Sequence, residues 1–112
     1  MPKFYFSKSY ERSLSLIEDF IFESTKNIRL IEEFLNKHDE ALSFIAQNPT
    51  TPAIHPSTCD QSWIFGEGRY RMFFKVIKSK EEVKIYLIHI IDNRQANLKV
   101  YPNNTLPTYF ED

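Results

Sequence analysis

The spacing of apolar residues changes twice along the chain. "KFYFS" (3–7) alternates about Phe4, Tyr5 and Phe6 and predicts a short first strand. From residue 9 the period lengthens, and Tyr10, Leu14, Ile17 and Ile21 recur at helical intervals through "SYERSLSLIEDFIFE" (9–23). "STK" (24–26) interrupts the pattern, with Ser24 placed to cap a second helix. Ile28, Ile31, Leu35, His38, Leu42 and Ile45 then share one face to about Gln47, and Pro49 and Pro52 forbid continuation. Two amphipathic helices with a short break between them predict an antiparallel hairpin.

After the proline- and threonine-rich stretch "NPTTPAIHPST" (48–58), the period of two returns. "CDQSWIF" (59–65), "RYRMFFKVI" (69–77) and "VKIYLIHII" (83–91) predict three strands, joined by turns at "GEG" (66–68) and "KSKEE" (78–82). "ANLKVYPNN" (96–104) offers a last short strand, and the tail "TLPTYFED" is expected to be loosely held. Strands segregated from helices imply a single α+β domain over 1–112, with the hairpin packed on one face of a small twisted antiparallel sheet. Alternation puts Tyr70, Met72, Phe74 and Val76 on one face, and Arg69, Arg71, Phe73, Lys75 and Ile77 on the other. The first set is expected beneath the hairpin, with Ile17, Ile21, Ile31, Leu35 and Leu42 packing on Tyr70, Met72, Phe74 and Ile88. The second carries the charges. A turn that pairs Lys78 with Glu82 sets Arg71 opposite His89, whereas a slip of one residue sends His89 to the helical side. Arg94 follows the last apolar run, and "ANLKVY" folds back to bring Tyr101 near it.

Composition narrows the chemistry. A chain of 112 residues suits one core, and its net charge of -1 lacks the basic excess usual where phosphates are gripped. Two glycines leave no glycine-rich phosphate cradle. No apolar run approaches the roughly 18 residues of a membrane helix. The N-terminus shows no secretory h-region, and Cys59 is the single cysteine, so a cytoplasmic protein without an internal disulfide is expected. His38, His55 and Cys59 lack metal-ligand spacing, and neither metal nor other cofactor is expected.

In this order, the hairpin wording over 9–49, "GRYRMFFKV" and "VKIYLIHIIDNR" resemble the RelE/ParE superfamily of bacterial type II toxin–antitoxin toxins. The resemblance runs from "KFYFS" to Val100 and Tyr101. It implies a helical hairpin on a small antiparallel sheet. It also implies a cognate antitoxin that wraps the toxin, often with a helix in a groove, giving a toxin–antitoxin hetero-oligomer. Arg71 falls on the family's strand arginine and Arg94 on its terminal arginine. Tyr101 falls near a C-terminal tyrosine, one residue further from Arg94 than in the RelE pattern. RelE-like members are metal-independent endoribonucleases that cut messenger RNA in the ribosomal A site. ParE-like members are not enzymes; they inhibit DNA gyrase, and the class is tied to plasmid stabilization and growth inhibition. The strand "CDQSWIF" carries Asp60 and no lysine, which departs from RelE and favours a ParE-like reading. "IIDNRQ", with Arg94 alone, departs from the paired arginines of many ParE-like chains.

Each candidate residue has a plainer role beside the functional one. Arg71 and Arg94 would stabilise a phosphorane in a nuclease or grip a partner's acid in an inhibitor; an arginine closed onto a carboxylate of its own chain is the structural alternative. Arg69 joins them as a partner contact or is a surface residue at the strand's start. His89 would serve a nuclease as general acid, or is a hydrogen-bonded histidine of the rim. The aromatic residues of "RMFF" and Trp63 are more simply core than stacking platforms.

Overall fold

The structure, a computed structural model, describes residues 2–55, 58 and 60–93 together with the backbone of 109–111. The first strand, β1 (Lys3–Ser7), runs directly into α1 (Lys8–Thr25). Ser7 makes the junction: its Oγ accepts from the Tyr10 amide at 2.9 Å, satisfying one of the orphan donors of the first turn. The helix extends two residues into the expected break. It closes at Lys26, which adopts a left-handed φ of 52° and donates its amide to Phe22 at 2.7 Å. Asn27, not Ser24, caps α2 (Ile28–Gln47), its Oδ1 accepting from the Arg29 amide at 2.9 Å.

β2 (Gln61–Phe65), β3 (Tyr70–Lys78) and β4 (Val83–Asp92) form the expected antiparallel meander. The sheet as a whole is mixed, which corrects the expectation of an all-antiparallel one. Its strand order is β2-β3-β4-β1-β5, and β1 pairs in parallel with β4. With the hairpin and two strands lying between them in sequence, β1 and β4 have the long connection that parallel pairing requires. β5 (Tyr109–Glu111) pairs antiparallel with β1, so the tail contributes a strand rather than a loose end. The candidate strand 96–104 lies outside the described residues.

Both helices pack on the same face of the sheet. Tyr10, Ile17 and Ile21 of α1 and Phe34, Ala41 and Ile45 of α2 bury against Phe65, Tyr70, Met72, Phe74, Ile85, Leu87 and Ile90. The buried stripe of α2 is therefore displaced from the expected one. Ile31, Leu35 and Leu42 pack at its margin, and Ile28 is 64% exposed. Trp63 lies at the edge of the same layer, stacked on Phe44 with ring centroids 4.5 Å apart. His38, also on the apolar face of α2, is buried with its Nε2 2.6 Å from the Tyr10 hydroxyl.

Candidate functional site

The open face of the sheet, opposite the helices, is set by the β3–β4 register. The turn pairs Lys78 with Val83, one residue beyond the expected partner. Carried regularly along the ladder, that register would turn His89 toward the helices. A bulge intervenes between Phe73 and Phe74, where β4 steps from Leu87 to His89 and leaves Ile88 as the extra residue. The Ile88 carbonyl accepts from Ser7 Oγ at 2.6 Å. Beyond the bulge, Arg71 lies opposite Ile91, and His89 opposite Phe73. Arg71 and His89 thus share the open face, as expected, but as diagonal neighbours rather than a direct pair. Ile88 is buried at the bulge, not in the layer beneath the helices.

Arg71 is half-buried. Its Nη1 donates to Ser62 Oγ on β2 at 2.6 Å, and among the described residues it meets no carboxylate. The plainer role, a salt bridge closed within the chain, is not what surrounds it. Lys75, two residues along the same face, is different: its ammonium is paired with Asp60, which is buried. Asp60, the acid that marks this strand in the sequence, therefore has a cationic partner within the chain.

Arg69 separates from this group. It precedes β3 and turns toward the helical side, where Nε and Nη2 both donate to Asp92 Oδ2 at 3.4 Å. Its guanidinium lies 5.2 Å from the centre of the Tyr70 ring. There it lines a cavity of about 510 Å³ with Phe20, Leu30, Phe34 and Lys37. The expected grouping of Arg69 with Arg71 on one face is corrected accordingly: Tyr70, the first residue of the strand, pairs with Asp92 and draws Arg69 to the helical end.

His89 Nδ1 lies 3.0 Å from Ser9 Oγ in the first turn of α1. Burial pushes its pKa down to about 4, so the ring is neutral at physiological pH. Ser9 and Ser62 were not singled out in the sequence. Period-two counting along β2 would have found Ser62, since Ile64 pairs with Arg71 and Ser62 shares its face. Nothing local marks Ser9, which meets His89 only through the β1–α1 junction. Arg94, Tyr101 and Cys59 lie outside the described residues. Of the other histidines, His38 is engaged with Tyr10, and His55 lies edge-on to Phe73 at 5.3 Å.

Among the described residues, the arrangement offers one half-buried cation without a carboxylate and a neutral imidazole on the same face. It can hold an anion; it lacks, among the described residues, a charged acid next to that cation. No protein-family model matches the chain, and no characterised protein matches it.

Proposed function

We propose that the chain is the toxin of a type II toxin–antitoxin pair and acts in the ParE-like manner, binding DNA gyrase and inhibiting it until a co-encoded antitoxin neutralises it. The observation that carries this reading is Arg71: a half-buried guanidinium on the open face whose polar partner among the described residues is a hydroxyl. Charge kept partly out of water without a counter-ion is costly, and a surface that retains it gains by meeting an acidic partner. Inhibition by binding is favoured over cleavage by His89. A general acid must carry its proton at the working pH, and a ring that titrates near pH 4 does not. The family assignment itself rests on the order of short sequence motifs given above.

Purified protein in a gyrase supercoiling assay, run beside mapping of messenger RNA ends on translating ribosomes, tests the reading. Supercoiling is expected to be inhibited, with inhibition lost in Arg71→Ala, and no new RNA ends are expected. Discrete A-site cuts that vanish in Arg71→Ala would instead make the chain a RelE-like endoribonuclease. Inactivity in both assays would leave a non-toxic relative that binds its antitoxin.

A further inference from the structure

We infer that Arg71 and Ser62 together form a binding site for a single carboxylate supplied by a protein partner, with Ser62 as the residue that sets its strength. Arginine has five N–H donors and no acceptor, so in the Arg71–Ser62 bond the serine oxygen must accept. The serine hydroxyl hydrogen is then left to donate, and among the described residues no acceptor receives it. Ser62 is only 7% exposed, where an unmade hydrogen bond is costly. The remaining guanidinium hydrogens likewise meet no acid among the described residues. Two adjacent groups, one on β2 and one on β3, thus present donors alone. An oxyanion satisfies both: one oxygen takes the guanidinium and the other the hydroxyl.

The neighbours decide which oxyanion. Nucleic acids are held by rows of uncompensated cations. Here Lys75, the next cation along the same face of β3, is paired with the buried Asp60, so among the described residues of that strand Arg71 has no uncompensated cation beside it. A lone guanidinium beside a hydroxyl suits one carboxylate, and Ile64 and Ile91 beside Arg71 suit the apolar stem of a glutamate or aspartate side chain. This deepens the proposed function by naming the partner's chemistry, and it rests on that function only for the partner's identity.

The test is a titration of isotope-labelled protein with sodium acetate, inorganic phosphate and a short oligouridylate at constant ionic strength, read by nuclear magnetic resonance. Acetate is expected to shift the Arg71 Nε–Hε signal and the amides of Ile64 and Phe73 saturably. Ser62→Ala should weaken acetate about tenfold, the loss of one hydrogen bond to a charged group. Ser62→Thr, which keeps the hydroxyl, should retain binding, and Arg71→Gln should abolish it; unchanged amide signals elsewhere report that each variant is folded. Absence of a saturable shift, or a Ser62→Ala variant that binds acetate like the parent, overturns the site. Tighter binding of oligouridylate than of acetate or phosphate overturns the carboxylate and makes the face a nucleic-acid reader. Gyrase takes no part in this measurement. A chain that binds acetate through Ser62 yet leaves supercoiling untouched keeps the site and loses the gyrase reading, and the reverse result does the opposite.

Discussion

Ser7 serves two neighbours at once. Its Oγ accepts from the Tyr10 amide and donates to the carbonyl of Ile88, the residue left over at the β4 bulge. Cap and bulge are thereby tied through one buried hydroxyl. Ser7→Ala removes both bonds and leaves a buried donor and acceptor unmet, an expected loss of about 2–3 kcal/mol in urea-induced unfolding. A loss below about 0.5 kcal/mol would mean that water replaces the hydroxyl. The Tyr10–His38 bond, at 2.6 Å, is the corresponding link between the helices. Tyr10→Phe keeps the ring but strands the histidine nitrogen, and about 1–3 kcal/mol of stability should go with it. The same measurement on Tyr10→Phe/His38→Gln checks that the two losses are not additive.

At the scale of elements, the β2–β3 connection shows how tightly a turn can be specified. The Arg69 amide donates to Gly66 at 3.2 Å, and Gly66, Glu67 and Gly68 all have positive φ, at 66°, 60° and 86°. A Cβ on Gly66 would stand 2.8 Å from Cδ2 of Tyr70. Gly66→Ala therefore combines a left-handed backbone with a ring that cannot move freely, since Tyr70 is packed in the core. An expected cost of about 1–3 kcal/mol, read as a lowered midpoint in thermal unfolding, should accompany it. Such turns are legible in sequence because glycine marks them, and the strands and helices are legible because burial imposes a period. Hence the first strand, the end of α2 at Gln47, the meander and the helix-facing set Tyr70, Met72, Phe74 and Val76 all follow from spacing. What spacing does not carry is long-range. The parallel pairing of β1 with β4 depends on where the chain re-enters the sheet, and the bulge at Ile88 depends on a hydroxyl 81 residues away. For that reason spacing alone sets the partner of Lys78 one residue off, and the bulge returns His89 to the face of Arg71. The hydroxyl beneath Arg71 and the diversion of Arg69 to Asp92 likewise needed the folded sheet.

The whole molecule carries two histidines that burial holds neutral, one in each layer of the fold. His38 sits between the helices and the sheet, against Tyr10, Phe34 and Phe65. Burial lowers its pKa from the ordinary 6.5, while the neighbouring Asp39 opposes the shift. His89, at the bulge beside Ser9, is lowered by burial to about 4. In both, the folded chain binds the proton more weakly than the unfolded chain does. As pH falls below about 6.5, the unfolded state therefore takes up more protons, and the stability difference shrinks. The contribution is fully present above about pH 6.5 and is lost progressively toward pH 4, where folded His89 titrates as well. His89 can supply a slope of up to about 1.4 kcal/mol per pH unit in that window, and His38 adds to it in the same direction. Between about pH 6.5 and 5, carboxylates with ordinary values stay largely ionised in both states, while Glu18, raised by burial and by Asp19, takes up its proton sooner in the folded state and opposes the histidines. Urea unfolding across this interval should show stability falling with pH, and His89→Gln should flatten the fall because its amide carries no proton to gain. His38→Gln should flatten it further, at the cost of lower stability throughout, since the glutamine must replace a ring packed among aromatic neighbours. A parent protein whose unfolding free energy stays level from about pH 7 to 5 would mean that water reaches both imidazoles. In that case His89 would again be able to carry a proton at the open face and to serve as a general acid on the same face as Arg71.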